Sequence, residues 1–310
     1  MSFGKVAWGY CLMIGVYLSM FSMLDSQKSF FEFLPLAFTQ LPWLMALALI
    51  TFFLRYVRWF FLLRSAGYSV PVWRGWLSYL SGFAFTATPG KVGELVRIRY
   101  FGRLNVNASL VMSAFIFERA LDLVVVLCLA SVWVVDRQMF GLAASFVSLV
   151  LLAIGAVMFH PGWLQALGSV FVLKGYQRLA RLLLFLARGL AGCRVWLKPW
   201  PLFLSLLLGV ASWSITAYAF VHLLNALNLE VPLLAGFSAY PLAMLAGGAS
   251  MLPGGVGSTE AAIILQLQLH QVPFDKALVA SVIVRLGTMW FSIACGFVAI
   301  IFEELRELTP

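Results

Sequence analysis

Charged residues are scarce in this sequence. Asp, Glu, Lys and Arg make up 11% of its 310 residues, where a soluble domain carries roughly a quarter. Set against 63% hydrophobic residues and a mean hydropathy of +0.97, that shortage excludes a water-soluble globule and places the chain in a bilayer. No polar stretch is long enough to fold as a separate soluble catalytic domain. Cysteine is thin as well: Cys11, Cys128, Cys193 and Cys295 contain no C-x-x-C pair, which excludes a disulfide framework and leaves free thiols. His160, His222 and His270 are isolated and lack the spacing of a metal site, so packing is the role expected of each. A phosphate loop of the form G-x-x-x-x-G-K-[ST] is missing, and no cofactor is expected. The first apolar run, Val6 to Leu24, lacks a small-x-small cleavage site and is expected to persist as a first helix. Aromatics, by contrast, are plentiful, with 27 Phe, 11 Trp and 9 Tyr, and exclude intrinsic disorder.

At roughly 20 apolar residues per crossing, full spans are expected at 5–24, 42–64, 109–135, 138–159, 200–225 and 276–302. Two more apolar regions, 70–103 and 231–271, are interrupted by Pro and Gly and read as re-entrant. The expected fold class is therefore an all-α polytopic membrane protein, a single membrane domain over 1–310 with six full spans and two re-entrant helical hairpins. The net charge of +9 would point to nucleic acid in a soluble protein, but in a bilayer it marks cytoplasmic loops, and no nucleic-acid partner is expected. Fourteen of the 21 basic residues fall within 55–103 and 160–198, which puts both termini on the cytoplasmic side. Within the basic linker 160–198, Lys174, Arg178, Arg181 and Arg188 share one helical face. Such a helix is expected to lie on the anionic inner leaflet, attracted by about 1 kcal/mol per base, or else to serve only as a solvated topology signal.

The chain repeats itself. Pro89-Gly90-Lys91-Val92-Gly93-Glu94 matches Pro253-Gly254-Gly255-Val256-Gly257-Ser258 at four of six positions. Each copy follows a full span and a Pro-led apolar stretch, and each precedes a helix with an intramembrane arginine, Arg119 or Arg285. The charge rule sends span 42–64 inward and span 200–225 outward, so the halves 42–135 and 200–303 form an inverted-topology repeat. Inverted repeats with broken helices near the midplane are the architecture of many secondary transporters, and non-helical backbone at membrane depth is tolerated where it lines a cavity. Pro and Gly break each helix, with restarts expected near Gly93 and Gly257. The freed amides would attract a phosphate or carboxylate, unless Glu94, Ser258 or Glu260 caps them internally; for Ser258 the cap is the favoured role.

Glu118, Arg119 and Asp122 sit mid-span in 109–135, where each uncompensated charge costs roughly 2.5–3.5 kcal/mol. They must face protein or water. Glu118 and Asp122, at i and i+4, repel unless a proton or cation lies between them. A neutral central network of Glu118, Arg119, Asp122 and Arg285 is expected. Lys91, Arg97 and Arg99 are placed nearer the cytoplasmic rim, where they snorkel or fix orientation; Lys91 and Arg97, with Glu94, are also carried as weaker candidates for substrate binding or translocation.

Pro89–Glu94 with Arg97, Glu118-Arg119-x-x-Asp122, and Leu252 to Ala262 resemble the flippase-like membrane region of bacterial lysylphosphatidylglycerol synthases, over nearly the whole chain. In two-domain members that region is thought to carry an aminoacylated phospholipid to the outer leaflet, and a C-terminal soluble domain makes the lipid. With the sequence closing at Glu303 to Pro310, no such domain is expected, and the resemblance implies translocation rather than synthesis. It leaves the lipid open, since members are also associated with hopanoids and polyprenyl-linked glycans. The expected function is a flippase of the bacterial cytoplasmic (inner) membrane. Arg119, Arg285 and the helix starts would bind a lipid phosphate; Glu118, Asp122 and Glu260 would bind a cationic headgroup or carry protons. The alternatives are an intramembrane lipid or glycan transferase with Glu118 or Asp122 as base, or a non-catalytic partner of one; an oligomer is left open.

Overall fold

The computed structural model describes residues 34–308 and, before them, Gly15 alone. The expected span 5–24 lies outside the described residues except at that position. Among the described residues every regular element is helical. Four helices are long and apolar enough to cross a membrane: Leu34–Ser65, Arg137–Phe159, Pro199–Ala226 and Phe274–Glu307. Ala108–Ala130 is not among these four, though it has 23 residues and about 34 Å of length at 1.5 Å per residue. Its composition is set apart only by Glu118, Arg119 and Asp122 at its centre.

The first half begins with α1 (Leu41–Ser65), whose Pro sits in the first turn, where a missing N–H costs nothing. Pro71 then leads into α2 (Val72–Ser81), only 10 residues long. A 3₁₀ turn at Gly82–Phe85 and a kinked 3₁₀ segment at Pro89–Val96 follow, then α3 (Arg97–Gly102) and α4 (Ala108–Ala130), capped by Asn107. Between the halves run α5 (Arg137–Phe159), α6 (Gly162–Leu173) and α7 (Gln177–Gly192). The second half comprises α8 (Pro199–Ala226), α9 (Leu233–Ala249), a turn at Pro253–Gly255, α10 (Ser258–Gln268) and α11 (Phe274–Arg285). A π-turn at Leu286–Trp290 joins α11 to α12 (Phe291–Leu308).

Two local expectations are corrected. The first restart is not at Gly93: Gly90 and Lys91 both adopt left-handed φ (59° and 57°), and regular α-helix resumes only at Arg97. Gly93 N–H is taken by the Thr88 hydroxyl at 2.6 Å, which holds the chain in the tighter turn. The second restart does fall at Gly257, φ 85°, with Ser258 opening the helix. Nor is the basic linker one helix. Gly175, φ 81°, breaks it, so Lys174 lies in the turn of an α6–α7 hairpin rather than on the face of Arg178, Arg181 and Arg188.

α1 and α8 pack side by side and antiparallel. Trp196, just before α8, donates to the Leu62 carbonyl at the end of α1 (2.9 Å), while His222 near the end of α8 lies 3.2 Å from Gln40 at the start of α1. Contacts between the halves are reciprocal: α4 packs on α9, α12 on α2, and the two Pro-Gly turns on each other. Gly296 of α12 approaches the backbone at Phe83 and Ala84 so closely that a Cβ would overlap it. The two largest apolar cores are built mainly from α8–α11 and from α1, α2 and α4, with a smaller cluster where α4, α5, α8 and α9 meet and another beside the Pro-Gly turns. α5 buries only Ala143, Val147 and Met158 and leaves Leu142, Leu149 and Leu152 about two-thirds exposed, a face suited to lipid.

Candidate functional site

The charges expected in mid-membrane converge, but in a different grouping. Arg58 of α1 donates to Glu118 at 2.7 Å and to Asp122 at 2.9 Å. Glu118 also accepts from the Trp59 indole (2.8 Å) and the Tyr79 hydroxyl (3.1 Å). Arg119 is at ion-pair distance from both carboxylates, 3.1 and 3.4 Å. Arg97 lies 3.1 Å from Glu94 and 3.8 Å from Glu118, with its guanidinium 4.1 Å from the Tyr79 ring centre and its Nε donating to the Tyr79 carbonyl. Thr86 donates to the other oxygen of Glu94 at 2.8 Å. Three arginines thus meet three carboxylates, and the cluster is neutral. Arg58, Glu94, Arg97 and Glu118 are all at most 1% exposed.

Arg285 does not join this group. Its Nε lies 3.0 Å from Glu260, and its terminal nitrogen donates to the carbonyl of Gly254. Glu260 in turn accepts from the Gly257 N–H at 2.7 Å, so it caps α10 and binds the arginine at once. Ser258 makes its hydroxyl contacts with Ser250 and the Gly255 carbonyl; its side chain is not the cap. Arg97, expected near the rim, is fully buried, because Glu94, Glu118 and the face of Tyr79 compensate its charge. Arg99 is exposed and pairs with Glu304.

Arg55, Arg58, Trp59 and Tyr79 were not among the expected site residues. Both arginines fall in a basic stretch that reads as a loop signal, yet they occupy the apolar interior of α1. An ionisable residue inside a spanning helix is itself a functional mark, and Arg55 and Arg58, three apart on one helical face, carried that signal.

Two cavities adjoin the Pro-Gly turns. One, of about 780 Å³ with its mouth included, is lined among others by Thr51, Arg55, Lys91, Glu94, Trp213 and Arg285. The other, about 1110 Å³, is lined by Lys91, Arg119 and Asp122 together with Leu123, Val126, Phe146 and Val150. Lys91, Trp213, Met244 and Gly254 line both. Gly90 and Gly254 sit where the turns meet: a Cβ on Gly254 would lie 3.5 Å from Ala87 of the opposite turn, and one on Gly90 would lie 3.7 Å from Met251. Among the described residues no group of three or more His, Cys, Asp or Glu side chains is placed to hold a metal ion.

A family model described as lysylphosphatidylglycerol synthase TM region matches residues 10–296. Among curated proteins and among solved structures, nothing matches.

Proposed function

The chain belongs to the family of lysylphosphatidylglycerol synthase transmembrane regions, a membrane protein family tied to lipid handling, and on that premise we propose that it is a lipid translocase. A polar headgroup crosses through the interior while its tails stay in the hydrocarbon, and access alternates between the two faces of a bacterial inner membrane. The observation that carries this reading is the pair of cavities at the meeting of the Pro-Gly turns, polar at Lys91 and Arg119 and apolar at Leu123, Val126 and Phe146. One chamber of that character accommodates both ends of an amphiphile.

In this reading the two halves are an inverted repeat, each with a re-entrant hairpin entering from its own face, and both termini are cytoplasmic. The antiparallel packing of α1 on α8 and the reciprocal contacts of α4 with α9 and α12 with α2 support the inversion. Bistable packing of two such halves is the usual basis of alternating exposure. Against a transferase stands the environment of Glu118, which accepts from Arg58, Trp59 and Tyr79; a carboxylate so solvated by donors is a poor general base.

Reconstitution tests the proposal. Purified chain in liposomes should accelerate leaflet exchange of a fluorescent phospholipid with no covalent change to it. A new lipid product instead would make the protein a transferase, and neither exchange nor product would leave it a partner of another enzyme.

A further inference from the structure

Around the Pro-Gly turns stand six basic side chains, Arg55, Arg58, Lys91, Arg97, Arg119 and Arg285, against four carboxylates, Glu94, Glu118, Asp122 and Glu260. All four carboxylates are taken by Arg58, Arg97, Arg119 and Arg285. Arg55 and Lys91 form no ion pair with any described residue, so among the described residues these bases outnumber the carboxylates by two, and both line the same cavity. Charge of one sign in a membrane interior is costly unless a counter-charge is supplied.

The geometry points to where that counter-charge sits. Arg55 is 9% exposed, and its buried Nε has no hydrogen-bond partner among the described residues. Its guanidinium lies 4.7 Å from the ring centre of Trp213, and the Trp213 Nε1–H, also buried, lacks an acceptor among the described residues. Both residues line the cavity that Lys91 enters from the first Pro-Gly turn. Unsatisfied buried donors of this kind are expensive, and an oxyanion with several acceptor oxygens would satisfy them together.

We propose that Arg55, Lys91 and Trp213 form the binding site for the phosphate of a lipid substrate, an inference that rests on the translocase reading and sharpens it. Arg119 and Arg285 are already met by carboxylates and play other parts. Lipid rather than free phosphate is favoured because Lys91 and Trp213 also line the second cavity, whose Leu123, Val126, Phe146 and Val150 provide an apolar wall for a chain.

The full chain in a phosphate-free maltoside detergent is titrated by calorimetry with dihexanoyl phosphatidic acid, with dihexanoylglycerol, which differs only by lacking the phosphate, and with inorganic phosphate. Phosphatidic acid should bind at least about tenfold more tightly than either of the others. Arg55→Gln and Trp213→Phe should each weaken it about tenfold, with Arg55→Lys between. Trp213→Phe keeps the ring over Arg55 and removes only the donor, so it decides the matter if Arg55→Gln does not fold. Equal binding of phosphatidic acid and dihexanoylglycerol, or unchanged binding in Trp213→Phe and Arg55→Lys, overturns the site. Inorganic phosphate bound as tightly as the lipid overturns the lipid assignment. Leaflet exchange is measured on the same proteins: binding without exchange overturns the translocase and leaves the site, whereas exchange with unaltered binding in the variants overturns the site and leaves the translocase.

Discussion

Arg58 on α1 and Glu118 on α4 meet at 2.7 Å with side chains that are 1% and 0% exposed. The same guanidinium holds Asp122, so together with Arg119, which touches both, it separates two carboxylates that would otherwise repel on one helix face. Removing it leaves three buried carboxylates, Glu94, Glu118 and Asp122, to two cations, Arg97 and Arg119. Arg58→Met should therefore cost about 3–5 kcal/mol, the range for breaking a buried pair on one side only. Replacing Arg58, Arg119, Glu118 and Asp122 together by Met, Met, Leu and Leu, which removes two cations with their two carboxylates and leaves Arg97 on Glu94, should recover most of that loss. Equilibrium unfolding in mixed detergent and SDS micelles measures both, and a quadruple variant less stable than Arg58→Met would contradict the account.

The seat of Arg97 gives a second test. A Cβ on Gly82 would overlap the Arg97 guanidinium, whereas one on Gly102 meets nothing within 4 Å. Gly82→Ala should lose about 1–3 kcal/mol through overpacking and disturb the Arg97 contact with Glu94. Gly102→Ala, within a helix, should be neutral or stabilising by up to about 1 kcal/mol. Thermal unfolding of the pair compares them directly, and equal losses would show that Arg97 yields without strain.

The broken regions and the Glu118-Arg119-x-x-Asp122 cluster were legible because each violates what its surroundings demand: Pro and Gly inside apolar runs, and charge inside a spanning helix. The partners of that cluster were not. Arg55 and Arg58 lie in the same basic stretch as Arg64 and Arg74, and a count by sequence position cannot distinguish exposed bases from those paired with a helix sixty residues on. Arg285 resembled a counterpart of Arg119 by spacing, but its partner was decided by Glu260, whose second oxygen caps α10. The Gly175 break in the basic linker was visible as a glycine, yet the matching of Lys174 to Arg178 and Arg181 by helical period hid it.

The proposed inversion of the halves has a direct consequence for accessibility. Because α1 and α8 run antiparallel, the connection from α1 to α2 and that from α8 to α9 lie at opposite ends of the bundle. Arg74 and Glu230, both exposed, mark these ends. In a cysteine-free background, Arg74→Cys and Glu230→Cys should react with a membrane-impermeant maleimide from opposite compartments, with Arg74→Cys on the cytoplasmic side. Labelling of both from the same side would contradict the inverted arrangement and the alternating access built on it.

Arg119 and Arg58 share carboxylates but differ in what they face. Arg58 is sealed, whereas the Arg119 side chain is 18% exposed and lines the larger cavity beside Lys91. When Arg119 is removed, Glu118 and Asp122 still have Arg58, and Glu118 keeps Trp59 and Tyr79 as donors. Arg119→Ala should then cost no more than about 1–2 kcal/mol in stability while reducing leaflet exchange at least tenfold, because the cavity loses a charge that the passing headgroup meets. Arg58→Met should show the reverse emphasis, with instability as its main defect. Measuring unfolding and exchange on both variants separates the roles: exchange at the wild-type rate in a stably folded Arg119→Ala protein would assign the whole cluster to holding α1 against α4.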